Sequence, residues 1–196
     1  MSPRPRSASD AEIFAALTRV IGRVGPGRMT LADVAAEVGI TAGALVQRFG
    51  SKRDLLLAVS RASAEGVREE VAAVRAAHDS PLAALHAFTA STARRFDTPE
   101  EMAHHLAFLQ LDLADPEFRA LALAYFRAER EGVKALLDKA FVRRELSGEG
   151  DTSRLAEAVQ ATVNGTRLLW AVMQNGTLEE RTREALEVLL GPWRKV

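Results

Sequence analysis

Apolar residues recur every three or four positions along most of the chain, and they do not alternate over the length of a strand. This spacing places apolar side chains on one face of an α-helix. The first such run contains Ile13, Leu17, Val20, Ile21 and Val24 and stops at Gly25-Pro26-Gly27. The sequence therefore predicts an all-α fold of about nine helices.

Capping residues divide this pattern into separate helices. Thr30 with Asp33 has the spacing of a capping box, and Ser51 with Asp54 repeats it. A cap followed by proline then opens several of the later helices. The predicted helices cover about residues 9–24, 30–38, 41–49, 52–78, 80–96, 98–113, 115–144, 151–174 and 177–190.

The segment Met29–Ala58 predicts two short helices joined by a tight turn, followed by the start of a long helix. Gly39 permits the positive φ that ends the first helix, and the small Ala35 lets the second helix cross closely. This spacing is typical of a helix-turn-helix, whose second helix enters the DNA major groove. The alternative is an ordinary αα-hairpin, although helices this short are weak bundle formers.

The same segment resembles a known family. The matching residues are Thr30, Val34, Ala35, Gly39, Ile40, Thr41, Gly43, Leu45, Phe49, Ser51, Lys52 and Leu55. Their order closely resembles the amino-terminal domain of the tetracycline-repressor (TetR) family, over about the first third of the chain. The resemblance implies a DNA-binding domain over residues 1–55 and a helical effector-binding and dimerisation domain over residues 56–196. The family usually has a tyrosine, a phosphate contact, where this chain has Val46.

Composition and charge agree with a DNA-binding protein that has one basic end. The chain has no cysteine, no apolar run of about 20 residues and no apolar secretory signal, so we expect a cytoplasmic protein without a membrane partner. The net charge of the whole chain is zero. Residues 1–61 contain nine Lys/Arg and five Asp/Glu, and the rest is correspondingly acidic. Such a division favours phosphate contacts at the amino-terminal end.

The predicted DNA contacts lie on the second helix of the motif and beside it. Gln47 pairs with adenine, Ala44 or Val46 meets a thymine methyl, and Arg48 either reads guanine or holds a phosphate. Lys52 is the strongest phosphate candidate because it begins a helix. The full predicted set is Thr30, Thr41, Ala42, Gly43, Ala44, Val46, Gln47, Arg48, Ser51 and Lys52. Arg4 and Arg6 either enter a minor groove or are solvated.

The later helices predict an effector site and a dimer. The resemblance implies a small, largely apolar effector held by Phe88, Phe108, Phe126, Asn164, Arg167 and Trp170. The alternative is that the aromatic residues form plain core. The last two helices carry more apolar surface than one side can bury, which favours a homodimer through these helices on a palindromic operator. An ordinary monomer core is the alternative.

Other function classes have weaker support. No catalytic motif or phosphate-binding glycine loop occurs in the sequence, so we expect no enzyme activity and no cofactor. His104 and His105 are adjacent and point to different sides of a helix, so we expect no metal site. The remaining rival is a dimeric helix-turn-helix protein that has no small-molecule effector and is regulated by a protein partner.

Overall fold

The computed structural model describes residues 8–148 and 150–194. Over these residues the predicted all-α fold is confirmed, since they contain helices and no strand. The helices are α1 (Asp10–Arg28), α2 (Leu31–Val38), α3 (Ala42–Phe49), α4 (Lys52–Ala77), α5 (Pro81–Ala93), α6 (Pro99–Leu106), α7 (Leu109–Ala114), α8 (Pro116–Val142), α9 (Thr152–Met173) and α10 (Leu178–Leu190). A 3-10 turn follows at Gly191–Trp193.

Two predicted helices differ from the observed ones. The helix expected over residues 98–113 is divided into α6 and α7, because the chain leaves the α-helix at Ala107 and Phe108. The first helix was expected to stop at Gly25, yet a further helical turn follows to Arg28. Gly25 itself has φ 78°, which interrupts α1 and re-aims that last turn.

The described residues form two compact units. Unit 1 contains the residues up to Ala62 together with Glu100–Leu121, and unit 2 contains Ser63–Pro99 together with the residues from Ala122 onward. Two stretches that are distant in sequence therefore build unit 1. The division into functional domains at residue 55 stays a prediction.

Unit 1 is built around the first three helices and the start of α4. Its core includes Ile13 and Leu17 of α1, Val34 of α2 and Leu45 of α3, each completely buried. Phe118, from the second stretch, belongs to the same cluster and is 2% exposed. The short helices thus have a common core to pack on, which two isolated helices could not supply.

The core of unit 2 lies among α4, α5, α8, α9 and α10. Its buried cluster contains Phe88 of α5, Leu137 of α8 and Leu186 of α10. Gly132 lets α8 approach α4 closely, because a Cβ built there would lie 2.7 Å from Cγ2 of Val71. Among the described residues, no helix is long and apolar enough to cross a membrane.

Candidate nucleic-acid interface and effector site

The start of α2 is fixed by a reciprocal cap. Thr30 Oγ1 accepts a 3.2 Å hydrogen bond from the Asp33 amide, and the Asp33 carboxylate accepts bonds from the Thr30 hydroxyl and amide. These bonds from Thr30 hold the pKa of Asp33 below its ordinary value. The predicted capping box is confirmed. It also means that the Thr30 hydroxyl already donates within the protein.

The turn between α2 and α3 has the geometry that the sequence predicted. Gly39 is left-handed at φ 72°, and the Ile40 amide donates back to Ala35 at 3.0 Å. Thr41 then caps α3 by accepting a 3.1 Å bond from the Ala44 amide. Because Leu45 is fully buried beneath the helix, the rotation of α3 about its own axis is fixed.

The opposite side of α3 is open. Thr41, Gly43, Ala44, Val46 and Gln47 are all exposed, and the Val46 side chain is 50% exposed. Ala42 is half-buried. The predicted reading residues therefore share one free surface of unit 1, with side chains small enough for the helix to sit deep in a groove.

Arg48 is also exposed, and in addition its side chain makes contacts within unit 1. Its guanidinium makes a 2.7 Å ion pair with Asp10 and donates to the Ala8 carbonyl at 2.5 Å. It also lies 5.7 Å from the centre of the Phe49 ring. Arg48 thus ties the end of α3 to the start of α1. Arg4 and Arg6 lie outside the described residues.

The start of α4 brings the remaining predicted contacts together. Ser51 and Asp54 form the predicted reciprocal cap, with Ser51 Oγ donating at 2.5 Å and the Asp54 amide donating back at 3.1 Å. This bond from Ser51 lowers the pKa of Asp54. The Lys52 ammonium donates to the Gly27 carbonyl at 3.0 Å, which places a positive charge at the amino end of α4.

Arg53, the residue after Lys52, also lies at the start of α4, and the sequence did not single it out. Arg53 pairs with Asp115 and Glu117, each at 2.7 Å, and lies 5.6 Å from the centre of the Phe118 ring. Both carboxylates raise the pKa of Arg53, with Asp115 the larger cause. Because Asp115 is 62 residues away in sequence, no local pattern pointed to this pair.

In unit 2, two of the predicted effector residues belong to one polar chain. Arg167 donates to Asn164 Oδ1 at 3.1 Å, and Asn164 donates to the Gln160 carbonyl at 2.9 Å. Gln160 Nε2 in turn donates to Glu129 at 2.6 Å. Glu129 is only 5% exposed, so this chain carries a carboxylate into the core.

Tyr125 adjoins this polar chain and was also missed. Burial, together with the smaller effect of the neighbouring Glu129 carboxylate, raises its pKa to about 12. Its ring packs edge-on against Phe126, with centroids 5.6 Å apart. The signal available in the sequence was Glu129 itself, an acidic residue on an otherwise apolar face of α8.

The four predicted aromatic wall residues are not all together. Phe88 is core at 1% exposure, and Trp170 is buried with its indole N–H donating to the Gly176 carbonyl at 3.0 Å. Phe108 belongs to unit 1, where it packs edge-on against Phe118. Two of the clefts in the described structure have volumes of about 460 and 470 Å³, and none of the six predicted residues lines either of them.

An apolar surface remains uncovered on the last two helices. Leu155, Val159, Val163 and Trp170 of α9 are buried, whereas other apolar residues on the same helix face outward. The exposed residues are Leu168, Leu169, Val172 and Met173 of α9 and Val188 of α10, with exposures of 54% to 80%. These two helices pack on each other. We call this set of exposed apolar residues the α9–α10 face.

Comparison with known families agrees with this geometry. The family described as bacterial regulatory proteins, tetR family, matches residues 13–59, and the BetI-type transcriptional repressor C-terminal family matches residues 81–191. The chain belongs to the TetR family. It is 30% identical over 166 residues to the HTH-type transcriptional regulator BetI of Agrobacterium fabrum, covering 84% of this chain and 76% of that protein.

Other TetR-family members are similar over nearly the whole chain. The regulator TtgR of Pseudomonas putida is 26% identical over 192 residues, covering 91% of this chain and 90% of that protein. SmeT, repressor of the Stenotrophomonas maltophilia multidrug efflux pump SmeDEF, superposes with a TM-score of 0.68 at 22% identity, over 96% of this chain and 92% of that one. A TetR regulator from Haloarcula marismortui superposes with a TM-score of 0.77 at 16% identity, covering 95% and 98%.

Membership of the TetR family identifies the general function. The protein is a DNA-binding transcriptional repressor with a carboxyl-terminal effector-binding domain. TetR-family proteins are regulators that bind operator DNA, usually as dimers that respond to small molecules.

Within the described residues, no group of three or more His, Cys, Asp or Glu side chains could hold a metal ion.

Proposed function

We propose that two copies of this protein repress transcription by placing α3 of each in successive major grooves of a palindromic operator. The observation that carries this proposal is the α3 geometry. Its inner side is locked by the buried Leu45, and its outer side is free and formed by small side chains around Gln47. A rigid helix with one open face is what major-groove reading requires.

Backbone contacts in this proposal come chiefly from Lys52. Its ammonium is held at the amino end of α4, where the helix dipole also favours an anion. Thr30 and Ser51 occupy the equivalent ends of α2 and α4, but their hydroxyls already donate to Asp33 and Asp54. We therefore assign them to supporting roles at the phosphate backbone. Val46 supplies no hydroxyl, so the contact made by the family's usual tyrosine is absent.

The proposed dimer forms through the α9–α10 face. Ala161, Gly165, Leu168, Leu169 and Val172 recur at helical spacing along α9, and a Cβ at Gly165 would meet nothing within 4 Å. A row of small and apolar residues suits close packing of a symmetry-related helix. Two recognition helices then serve half-sites about 34–36 Å apart.

We place the polar contacts of the proposed effector on the chain formed by Arg167, Asn164, Gln160 and Glu129. This chain combines donors and a buried acceptor beside Tyr125 and Phe126. A largely apolar molecule with one hydrogen-bonding group would match that surface. Its binding shifts the population of the two repressor conformations and releases the operator.

The experiment that tests the proposed function is selection of bound duplexes from randomised DNA by the purified full-length protein. We expect enrichment of a palindrome whose half-sites are about one helical turn apart. Absence of enrichment over random DNA at moderate salt contradicts operator recognition. With the operator in hand, small molecules are screened for release. Gln160→Ala should weaken the response to any active compound, whereas the surface variant Arg154→Ala should not.

If a compound bound unit 2 but left operator affinity unchanged, the effector part of the proposal would be wrong. Regulation by a protein partner would then be the better explanation. The operator itself would be unaffected by that result.

A further inference from the structure

The direction of each side chain around α3 can be read from Leu45, which points straight into the core at 0% exposure. Successive residues turn by about 100° around an α-helix. Gly43 and Gln47 therefore lie about 160° from Leu45, at the centre of the outer face. Ala44 and Val46 lie about 100° away on its two flanks.

Arg48 lies only about 60° from Leu45, on the side of the helix that faces α1. This direction explains why its guanidinium meets Asp10 at 2.7 Å and the Ala8 carbonyl at 2.5 Å. Reading a base would require Arg48 to leave both partners and the face of Phe49. The only cationic side chain of α3 is thus partly exposed but paired with Asp10 and the Ala8 carbonyl of the same unit.

The remaining outer side chains have a defined chemical preference. Guanine presents two acceptors in the major groove, so it is best read by the paired donors of Arg or Lys, and cytosine presents a donor that a carboxylate accepts. Residues 41–49 carry no carboxylate, and their arginine is engaged. The Gln47 amide instead presents an NH2 donor group and a carbonyl acceptor side by side, which match the N7 acceptor and the N6 donor of adenine. Ala44 and Val46 are apolar, and the apolar group in the major groove is the thymine methyl.

We infer that the positions under α3 in each half-site form an A·T core, in which Gln47 pairs with adenine and Val46 and Ala44 contact thymine methyl groups. Arg48 positions α3 and does not read guanine. This inference rests on the proposed function, because it specifies the sequence read by the same helix. It makes the thymine methyl a determinant of affinity.

The test uses the operator recovered by selection and replaces single thymines in the half-site by deoxyuridine, which lacks only the C5 methyl group. At the position under Val46 we expect about a fourfold loss of affinity, the scale of one buried methyl-sized group. The variant Val46→Ala should bind the thymine operator more weakly and should lose most of its sensitivity to deoxyuridine there. A thymine outside the half-sites serves as the control position. Val46 is on the surface, so this variant should fold like the parent.

Two further variants separate the roles of Gln47 and Arg48. Gln47→Ala should weaken binding by about tenfold at one A·T position. Arg48→Ala should weaken operator DNA more than random DNA, with the loss spread over the base pairs under α3 instead of one position, since it acts by positioning α3. Its loss should be reproduced by Asp10→Ala, which removes the partner and keeps the arginine.

The outcomes distinguish this inference from the proposed function. An enriched palindrome with guanines under α3, read by Arg48, would overturn the inference and leave the repressor proposal intact. Equal affinity for the thymine and deoxyuridine operators would also overturn it. A failure to enrich any sequence would contradict the proposed function itself.

Discussion

The Lys52 ammonium lies 3.0 Å from the Gly27 carbonyl oxygen, 25 residues earlier in the chain. This bond joins the start of α4 to the last turn of α1. It holds a positive charge in a set position beside the reading helix, so less side-chain entropy is lost when a phosphate arrives.

Lys52→Ala should weaken binding to operator and random DNA by about the same factor, because a phosphate contact carries no sequence information. The slope of log K against log salt concentration should fall by about one unit. Titration of both duplexes at four salt concentrations measures this. Lys52→Arg is the matched control and should keep the slope. A loss confined to a single base position would show that Lys52 reads sequence instead.

The close approach of α8 to α4 predicts an energetic coupling between Gly132 and Val71 in a double-mutant cycle. Gly132→Ala should lower the free energy of unfolding by about 1 kcal/mol, because overpacking against Val71 outweighs the higher helix propensity of alanine. In a Val71→Ala background the same substitution should cost much less, because both Cγ atoms are gone and only the Cβ at 3.2 Å remains close. Urea unfolding of the four proteins measures the coupling.

Gly66 of α4 provides the control for that experiment. A Cβ at this position would meet nothing within 4 Å. Gly66→Ala should therefore raise the free energy of unfolding by about 0.5–1 kcal/mol in either background. If Gly132→Ala behaved like Gly66→Ala in the parent protein, the close contact with Val71 would not limit packing.

Asp112 of α7 predicts a pH dependence of stability. Burial raises its pKa to about 6. The folded protein therefore holds a proton that the unfolded chain has released, so this group's contribution to stability falls as pH rises from about 4 to about 6. Asp112→Asn should remove that fall and raise the free energy of unfolding at pH 7 by about 1 kcal/mol, a figure reduced because the side chain is half-exposed. Urea unfolding between pH 4.5 and 7.5 measures it.

Asp138 should contribute to stability with the opposite dependence on pH. Hydrogen bonds from Lys134 and then Thr152 lower its pKa, so its contribution is present at neutral pH and is lost as pH falls through its folded pKa. Asp138→Asn should therefore destabilise the protein at pH 7.

An unchanged pH profile for Asp112→Asn would mean that the Asp112 carboxyl group is solvated.

The α9–α10 face predicts the effect of a buried charge on association. Val172→Glu should dissociate the dimer, because each copy would carry a carboxylate into an apolar contact. Val142→Glu is the matched control, since Val142 of α8 is also a strongly exposed valine, at 83%, outside this face. Sedimentation equilibrium at micromolar concentration measures both. Dimers that persist in Val172→Glu would place the interface elsewhere.

Local signals in the sequence were sufficient for most helix boundaries. The caps at Thr30 and Thr177 and the turn at Gly39 depend on residues within four positions, so their chemistry is complete in a short window. The break between α6 and α7 has no such signal. Neither glycine nor proline occurs at Ala107 or Phe108, and the local apolar spacing continues through them.

The sequence could not show which side chains meet when they lie far apart in the chain. Arg48 was predicted to read guanine or hold a phosphate from its place in α3, and only the structure shows that its guanidinium also pairs with Asp10. Likewise, the buried Glu129 depends on Gln160, 31 residues later. The aromatic residues predicted as one wall divide between core positions and unit 1, because helical spacing assigns a face but not the neighbour that covers it.

Phe118 has a consequence for how the protein is made. It is 2% exposed within the cluster that α1, α2 and α3 share, yet it is synthesised 66 residues after Lys52, where α4 begins. While the ribosome adds those residues, the nascent helix-turn-helix has its caps and turn but lacks this aromatic side chain. The helix-turn-helix should therefore bind DNA only after the chain has been synthesised past residue 121. A shorter fragment should expose apolar core residues that chaperones bind.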